Sequence, residues 1–487
     1  MIKIRRDFSI HPFIFILFLI FHVYINNYNE YTLYVIIKPL FLLLLLTAFV
    51  LFTLNKFIKN YHKTGVILST FYLWFFSYSP LRNFFESINL LGLQRHRYML
   101  IIYILLVIIV IISLAKIRIN FQKLSKYFNI VSFVLLLSVL INCGYTLWSV
   151  KFNFIEPTKS ISLMPTNAYV PTKNKLPNIY YIILDSYTGE RELNRFLNYD
   201  NSKFIKYLHD KGFFVASASR SNYSFTRFSM AATLNLDYLP KKSAKKSANI
   251  FLLNPDVVLP KMIKNNEVIK FLRSIGYRYI DLSIWNDQYN EIQLGLGLLD
   301  MTILSIPGIN SILPGFLYRS IVLDTLNSLE SLQIIEKPAF IYTHILIPHS
   351  PYMFDQYGKK PPLFSLNERE LYIGHIKYIN NRIENIVNNI LSKDKTGPVI
   401  IIQGDHGTSA MVEVAGSGKQ YMEARVGILN AIYFPYNGKK VFYETVSSVN
   451  TFRIIFNELF KTNYKLLPDI SYYQDDENGT LFVVNPN

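Results

Sequence analysis

The chain has 487 residues, 51% of them hydrophobic, with 50 basic and 33 acidic side chains and a net charge of +17. That length holds two or three domains, and the single cysteine, Cys143, excludes a disulfide framework and any cysteine nucleophile or metal ligand beyond it. The basic excess does not mark a nucleic-acid binder: residues 1–150 carry 14 basic against 3 acidic residues, leaving 36 against 30 for the rest, so no nucleic-acid partner is expected.

The first 150 residues read as membrane. Apolar runs at Ile10–Ile25, Leu33–Leu54, Gly65–Leu81, Met99–Ala115 and Ile130–Val150 approach the roughly 20 residues that a helix needs to cross a bilayer, so about five transmembrane helices are expected. MIKIRR ahead of the first run resembles the start of a secretion signal, but no small-residue cleavage site follows before Asn26, and the run reads as a retained helix. Lys3, Arg5, Arg6, Lys56, Lys59, Lys63, Lys116, Arg118, Lys123 and Lys126 fall on one side of such a bundle, against Lys38, Arg82, Arg95 and Arg97 on the other. The richer side is cytoplasmic by the positive-inside rule, which puts everything after Val150 on the outer face. None of these runs has a charged residue at its middle, which argues against a transport pathway.

Residues 151–176, with three prolines and no periodicity, read as a linker, and residues 177–487 as one outer domain. In it, Asn178–Leu184 (NIYYIIL) is a buried-strand pattern ending on Asp185. A helical stretch closes at Lys211-Gly212, Phe213–Ser219 is strand-like, and Thr226–Leu236 opens another helix. Val258–Ser274 then reads as helix, Tyr277–Ser283 and Ala339–Leu346 as strands. Isoleucines 376, 379, 383, 386 and 390 step by three and four, giving one apolar face to a helix over Leu366–Ser392. Val399–Ile402 is a short apolar run broken at Gly404-Asp405-His406. Strands alternating with helices predict an α/β domain with a mostly parallel sheet flanked by helices.

Ligands in such sheets lie beyond the carboxyl ends of the strands. Asp405 and His406 stand at one such tip and Asp185 at another, and carboxylate with imidazole suits zinc or manganese. Each also has a plain reading, as a polar turn or an Asx turn after a core strand. Thr226 reads as a helix N-cap, a place compatible with nucleophilic attack, because a helix amino terminus and a bound metal both favour an alkoxide. Ser224 and Ser229 are neighbours able to take the same part. His344 beside its strand matches an ordinary core or surface histidine, whereas His349, held between Pro348 and Pro351, suits hydrogen bonding to a phosphoryl or leaving oxygen.

The order of strand-end Asp185, Thr226-x-x-Ser229, Pro348-His349-x-Pro351 and Gly404-Asp405-His406-Gly407 resembles that of sulfatase-like enzymes of the alkaline phosphatase superfamily. With five spans ahead of an outer domain, the chain is most similar in layout to bacterial lipoteichoic acid synthases and lipid A phosphoethanolamine transferases. The resemblance covers roughly residues 176–435. It implies an alkaline phosphatase/sulfatase-like fold and a divalent metal, zinc or manganese or else magnesium, held by Asp185, Thr226, Asp405 and His406. It also implies Thr226 as the nucleophile that takes a phospho-head group from a membrane phospholipid and passes it to an envelope glycan or lipid-linked acceptor. His349 matches the histidine that contacts substrate phosphate, with His344 and Arg425 as further candidate substrate contacts. The implied location is a bacterial cytoplasmic membrane. Two departures matter: Asp185 stands where those transferases usually have glutamate, and Tyr223-Ser224-Phe225-Thr226-Arg227 lacks the proline of the sulfatase Cys-x-Pro-x-Arg or Ser-x-Pro-x-Arg segment, so sulfate-ester cleavage is not expected. A metal-dependent phosphodiesterase or phosphatase, with water as acceptor, is the alternative enzyme, and a non-catalytic envelope protein the alternative outside enzymes.

Overall fold

The computed structural model describes residues 9–26, 37–87, 96–152, 176–239, 255–283, 314–332, 338–362, 367–410, 418–436, 440–474 and 481–484. The basic amino terminus at Lys3, Arg5 and Arg6, the start of the second apolar run and nearly all of the expected linker lie outside them. Two compact units are present, one holding the amino-terminal helices and the other the sheet.

The first unit contains α1 (His11–Asn26), α2 (Ile37–Ile58), α3 (Tyr61–Ser87), α4 (His96–Lys116) and α5 (Phe121–Phe152), one helix for each apolar run. Among the described residues two stretches are long and apolar enough to cross a membrane, Leu40–Ile58 and Phe121–Tyr145, and shorter apolar helices lie at His11–His22 and Ile102–Lys116. Large apolar side chains point outward from them, with Phe49 65% and Ile141 63% exposed, as expected where the surrounding medium is hydrocarbon rather than water. The polar groups turn inward instead: buried His11 lies 2.6 Å from Ser69 Oγ through Nδ1 and 3.2 Å from Ser125 Oγ through Nε2.

The second unit is built on a six-stranded sheet in the order β2-β6-β5-β1-β4-β3. The strands are β1 (Ile179–Leu184), β2 (Phe214–Val215), β3 (Arg278–Asp281), β4 (Ala339–Ile345), β5 (Val399–Gly404) and β6 (Asn430–Tyr433). β3, β4, β1 and β5 run parallel, as the sequence predicts. The edge departs from that expectation: β6 is antiparallel to β5, and β2 to β6, so the sheet is mixed. The reason lies in the connection. Of the described residues after β5, Gly407 is hydrogen-bonded to Arg425 at the carboxyl end of the sheet, and Ile428 bridges there to Thr188 just beyond β1. The chain therefore re-enters without the crossover that a parallel neighbour needs.

Helices cover both faces, which is why the central strands are apolar throughout. On one face Tyr180, Ile182 and Leu184 pack with the isoleucine stripe of the helix Glu368–Lys393; on the other, Ile179, Tyr181 and Ile183 pack with Met230 and Leu234 of the helix Thr226–Leu234 and with Phe452 and Phe456 of the helix Ser448–Phe460. The long helix is started by a capping box, Asn367 Oδ1 accepting Glu370 N–H at 2.9 Å while Glu370 reaches back to the Asn367 N–H. Two boundaries differ from expectation. Val258–Ser274 is two helices, Pro255–Lys264 and Glu267–Ser274, because Asn266 turns its side chain onto the Ile269 N–H and starts a new helix. Of Phe213–Ser219 only Phe214–Val215 is strand, since β2 pairs with the short edge of β6 alone. Ile383→Ala, at a fully buried position of the stripe, is expected to cost about 2–5 kcal/mol, against about 1 kcal/mol for the exposed cap change Asn367→Ala. Urea unfolding of the two variants beside the unaltered chain measures both.

Candidate active site

Strand register builds the site. Leu184 pairs with Gly404 on one side and Ile345 on the other, so Asp185 and Asp405 leave the sheet side by side. His344 pairs with Ile183 and therefore lies on the same sheet face as both aspartates. Asp185, Asp405 and His406 are buried, and each offers a ligand atom within 4.8 Å of the others.

Among the described residues, two buried side-chain atoms of the site have no hydrogen-bond partner. Asp405 Oδ1 accepts the Ser186 and His406 N–H groups, both at 2.9 Å. Its Oδ2 is buried without a hydrogen-bond partner among the described residues. His344 Nε2 is in the same state, 3.6 Å from Asp185 Oδ2 and 3.9 Å from Asp405 Oδ2. His406 donates from Nδ1 to the Gly407 carbonyl at 2.9 Å, which leaves the Nε2 lone pair facing inward. A buried polar atom without a partner costs about 1–3 kcal/mol, and a divalent cation among Asp185, Asp405 and His406 would satisfy Asp405 Oδ2. The donor set fits such an ion.

The charges agree with that arrangement. Burial alone would push the Asp185 carboxyl up, but the imidazole of His344, with those of His349 and His406, holds it well below the usual carboxylate range. Burial likewise works against a charged His344, yet Asp185, Asp405 and Asp281 around it outweigh burial and raise its pKa. Burial dominates at His406 and lowers its pKa, keeping the ring neutral.

Thr226 meets the cluster from the helix side, its Oγ1 lying 3.0 Å from His406 Nε2. It is not the cap that its position suggested. Phe225, with extended φ of −131°, occupies the cap, and Thr226 is the first helical residue, so its hydroxyl is not tied to its own helix. Of the alternative serines, Ser224 Oγ accepts the Gln474 N–H at 3.3 Å and Ser229 is buried in the helix. His349 is exposed, its Nδ1 turned to the Ser350 carbonyl and its backbone N–H donated to Asp185 O at 3.0 Å. Arg425, read from the sequence as a substrate contact, is 6% exposed and donates from Nη1 to Gly407 O and from Nη2 to Ser224 O, both at 2.6 Å.

Two residues that sequence reasoning passed over also belong here. Ser186 adopts φ of 63°, an uncommon left-handed turn for a residue with a side chain. That turn aims its N–H at Asp405 and its hydroxyl at Asp185 Oδ1, 3.2 Å away. His375, buried on the long helix beside its isoleucine stripe, accepts the Met353 and Phe354 N–H groups at Nε2, at 2.7 and 3.1 Å, with Nδ1 3.3 Å from Pro348 O. It pins the loop that carries His349. A histidine on the apolar face of an amphipathic helix was the available signal.

Asp185, Asp405 and His406 thus stand together at the strand tips of a parallel core, with the Thr226 hydroxyl beside them. Residues 177–455, more than half of the chain, match the family model for Sulfatase, and the chain belongs to that family of sulfatase-like enzymes. Among curated proteins nothing matches. Among solved structures the chain is similar to the C-terminal periplasmic domain of EcEptC from Escherichia coli in complex with Zn, at 12% identity over 66% of this chain and 96% of that one, with a TM-score of 0.43. It is also similar to the integral membrane protein lipooligosaccharide phosphoethanolamine transferase A of Neisseria meningitidis, at 13% identity over 93% and 94%, TM-score 0.38. The phosphonate monoester hydrolase of Agrobacterium radiobacter is a third, at 11% over 62% and 82%, TM-score 0.37.

Burial lowers the His375 pKa from 6.5 to about 4. Between those values the unfolded chain binds the proton and the folded one does not, so this stabilisation is complete above pH 6.5 and is lost as pH falls toward 4. The loss amounts to about 3 kcal/mol. His375→Gln keeps an acceptor but does not titrate, so its unfolding free energy, measured by urea denaturation from pH 7 to pH 4, is expected to fall by that much less than that of the unaltered chain.

Proposed function

We propose that this protein is a metal-dependent transferase that moves a phospho-head group from a membrane phospholipid to an envelope glycan or lipid-linked acceptor. The observation that carries the reading is the 3.0 Å approach of the Thr226 hydroxyl to His406, at the edge of the buried Asp185, Asp405 and His406 cluster. Asp185, Asp405, His406 and the Thr226 oxygen would hold the metal, zinc or manganese or else magnesium. When bound, the ion supplies positive charge against the oxygens of the reacting phosphoryl group.

In the first displacement, Thr226 Oγ1 forms a bond to phosphorus as the bond from phosphorus to the lipid glycerol oxygen breaks. Thr226 gives its proton up to solvent, and the diacylglycerol oxygen takes one, with the exposed His349 in place to donate it. In the second, an acceptor hydroxyl attacks the phosphothreonine, loses its proton, and the Thr226 hydroxyl is restored. Splitting the transfer in this way lets donor and acceptor use the site in turn.

The amino-terminal helices fit this reading as a five-span anchor in a bacterial cytoplasmic membrane, with the sheet domain on the outer face. Two of them meet the length and apolarity of a span, and apolar side chains face outward. A lipid donor then keeps its acyl chains in the bilayer while only its head group enters the cleft. Membership of a family named for sulfatases favours one second reading, hydrolysis of the same phosphothreonine by water.

Purified protein loaded with zinc or manganese and incubated with phosphatidylethanolamine or phosphatidylglycerol is expected to carry a head-group phosphate on Thr226 by peptide mass spectrometry. Thr226→Ala is expected to show no adduct and at least a 10³-fold loss of turnover, the scale on which removal of a nucleophile acts. Metal bound, donor intact and no adduct on the unaltered chain would overturn the transferase. Diacylglycerol release with free head-group phosphate and no acceptor product would point to the hydrolase.

A further inference from the structure

We infer that Arg425 is a positioning residue that clamps the metal-ligand loop to the nucleophile loop, rather than a contact for the substrate's phosphate. This rests on the reading of Asp185, Asp405, His406 and Thr226 as the metal and nucleophile set, and deepens it.

The clamp has three parts, all on the short helix Lys419–Val426. First, Arg425 holds the Gly407 peptide from both sides: its carbonyl accepts the Gly407 N–H at 2.7 Å, and its Nη1 donates to Gly407 O at 2.6 Å. The approach is so close that a Cβ on Gly407 would lie 1.9 Å from Ala424 O, which is why only glycine fits after His406. Second, that same Gly407 carbonyl accepts the His406 Nδ1–H. Arg425 therefore fixes the acceptor that sets the His406 tautomer and turns Nε2 toward Thr226, as outer partners of ligating histidines do. Third, Nη2 donates to Ser224 O at 2.6 Å while the guanidinium lies 5.4 Å from the centre of the Phe225 ring. Ser224 and Phe225 lead directly into Thr226. One planar fork thus spans the backbone behind His406 and the backbone in front of the nucleophile. A lysine, with a single nitrogen on a flexible stem, cannot make both bonds with that geometry.

The test uses the full chain in detergent and reads metal affinity by competition with a chromophoric chelator for zinc or manganese. Arg425→Lys, Arg425→Gln and Asp405→Asn are compared with the unaltered protein, with melting temperature as the check of folding. Where folding is retained, Arg425→Lys and Arg425→Gln are both expected to bind metal roughly 10–100-fold more weakly. With saturating metal they are expected to lower kcat for head-group transfer and to leave KM for the lipid donor unchanged. Keeping the charge in the lysine variant does not restore affinity, because the two-point geometry is lost. If either variant fails to fold, the other carries the measurement; failure of both to fold, or wild-type metal affinity in a folded variant, overturns the clamp. A raised KM that lysine restores, with metal affinity intact, also overturns it and returns Arg425 to substrate binding. An unaltered chain that binds zinc and manganese no better than Asp405→Asn overturns instead the metal reading on which the clamp stands.

Discussion

Two carboxylates leave neighbouring strands at the same level and are buried together, and much of the domain follows from that. Leu184 opposite Gly404 makes Asp185 and Asp405 neighbours, and like charges removed from water repel strongly unless something positive lies between or beside them. The chain answers with main-chain dipoles and imidazoles. Ser186 and His406 give two N–H groups to Asp405, and His344 stands within 4 Å of both acids. What it leaves without a partner, Asp405 Oδ2 and His344 Nε2, faces into the same space. A cation is the natural completion of such a set, and the low pKa of Asp185 together with the neutral His406 keeps both in the form a metal binds.

Around this lies a layer of buried polar groups whose task is aim rather than contact. Tyr372 donates to Ser186 O and accepts the Thr188 N–H, while Thr188 Oγ1 accepts the Thr408 N–H, so the turn after β1 and the turn after β5 share one hydroxyl network. His375 holds the loop of His349 in the same manner. An enzyme gains rate from groups fixed before the substrate arrives, and buried networks of this kind stay rigid only when every member is satisfied. The left-handed Ser186 is tolerated for the same reason: its N–H, hydroxyl and carbonyl are each engaged.

The two units divide the physical work. The amino-terminal helices present apolar faces outward and turn His11, Ser69 and Ser125 in on one another, the pattern of a chain that must satisfy its polar groups without water. The sheet unit buries apolar residues on both faces and gathers Asp185, Asp405 and His406 at its carboxyl edge.

The sequence alone determined the strands of the core, the long helix, the apolar runs and the strand-end acids, because hydrophobic periodicity and the glycine or aspartate at a strand end are local signals. It also named Asp185, Thr226, Asp405 and His406. The geometry was decided only in three dimensions. That β6 runs antiparallel depends on a connection whose described residues lie at one end of the sheet, which no periodicity records. That Asp185 and Asp405 come within 4.8 Å of each other depends on register between strands more than two hundred residues apart. The part of Arg425 was also hidden, since its partners are the carbonyls of Gly407 and Ser224, and a backbone oxygen has the same identity at every position in a sequence. Ser186 and His375 were missed for that reason too: their work is done on main-chain groups, and only the folded chain says which ones.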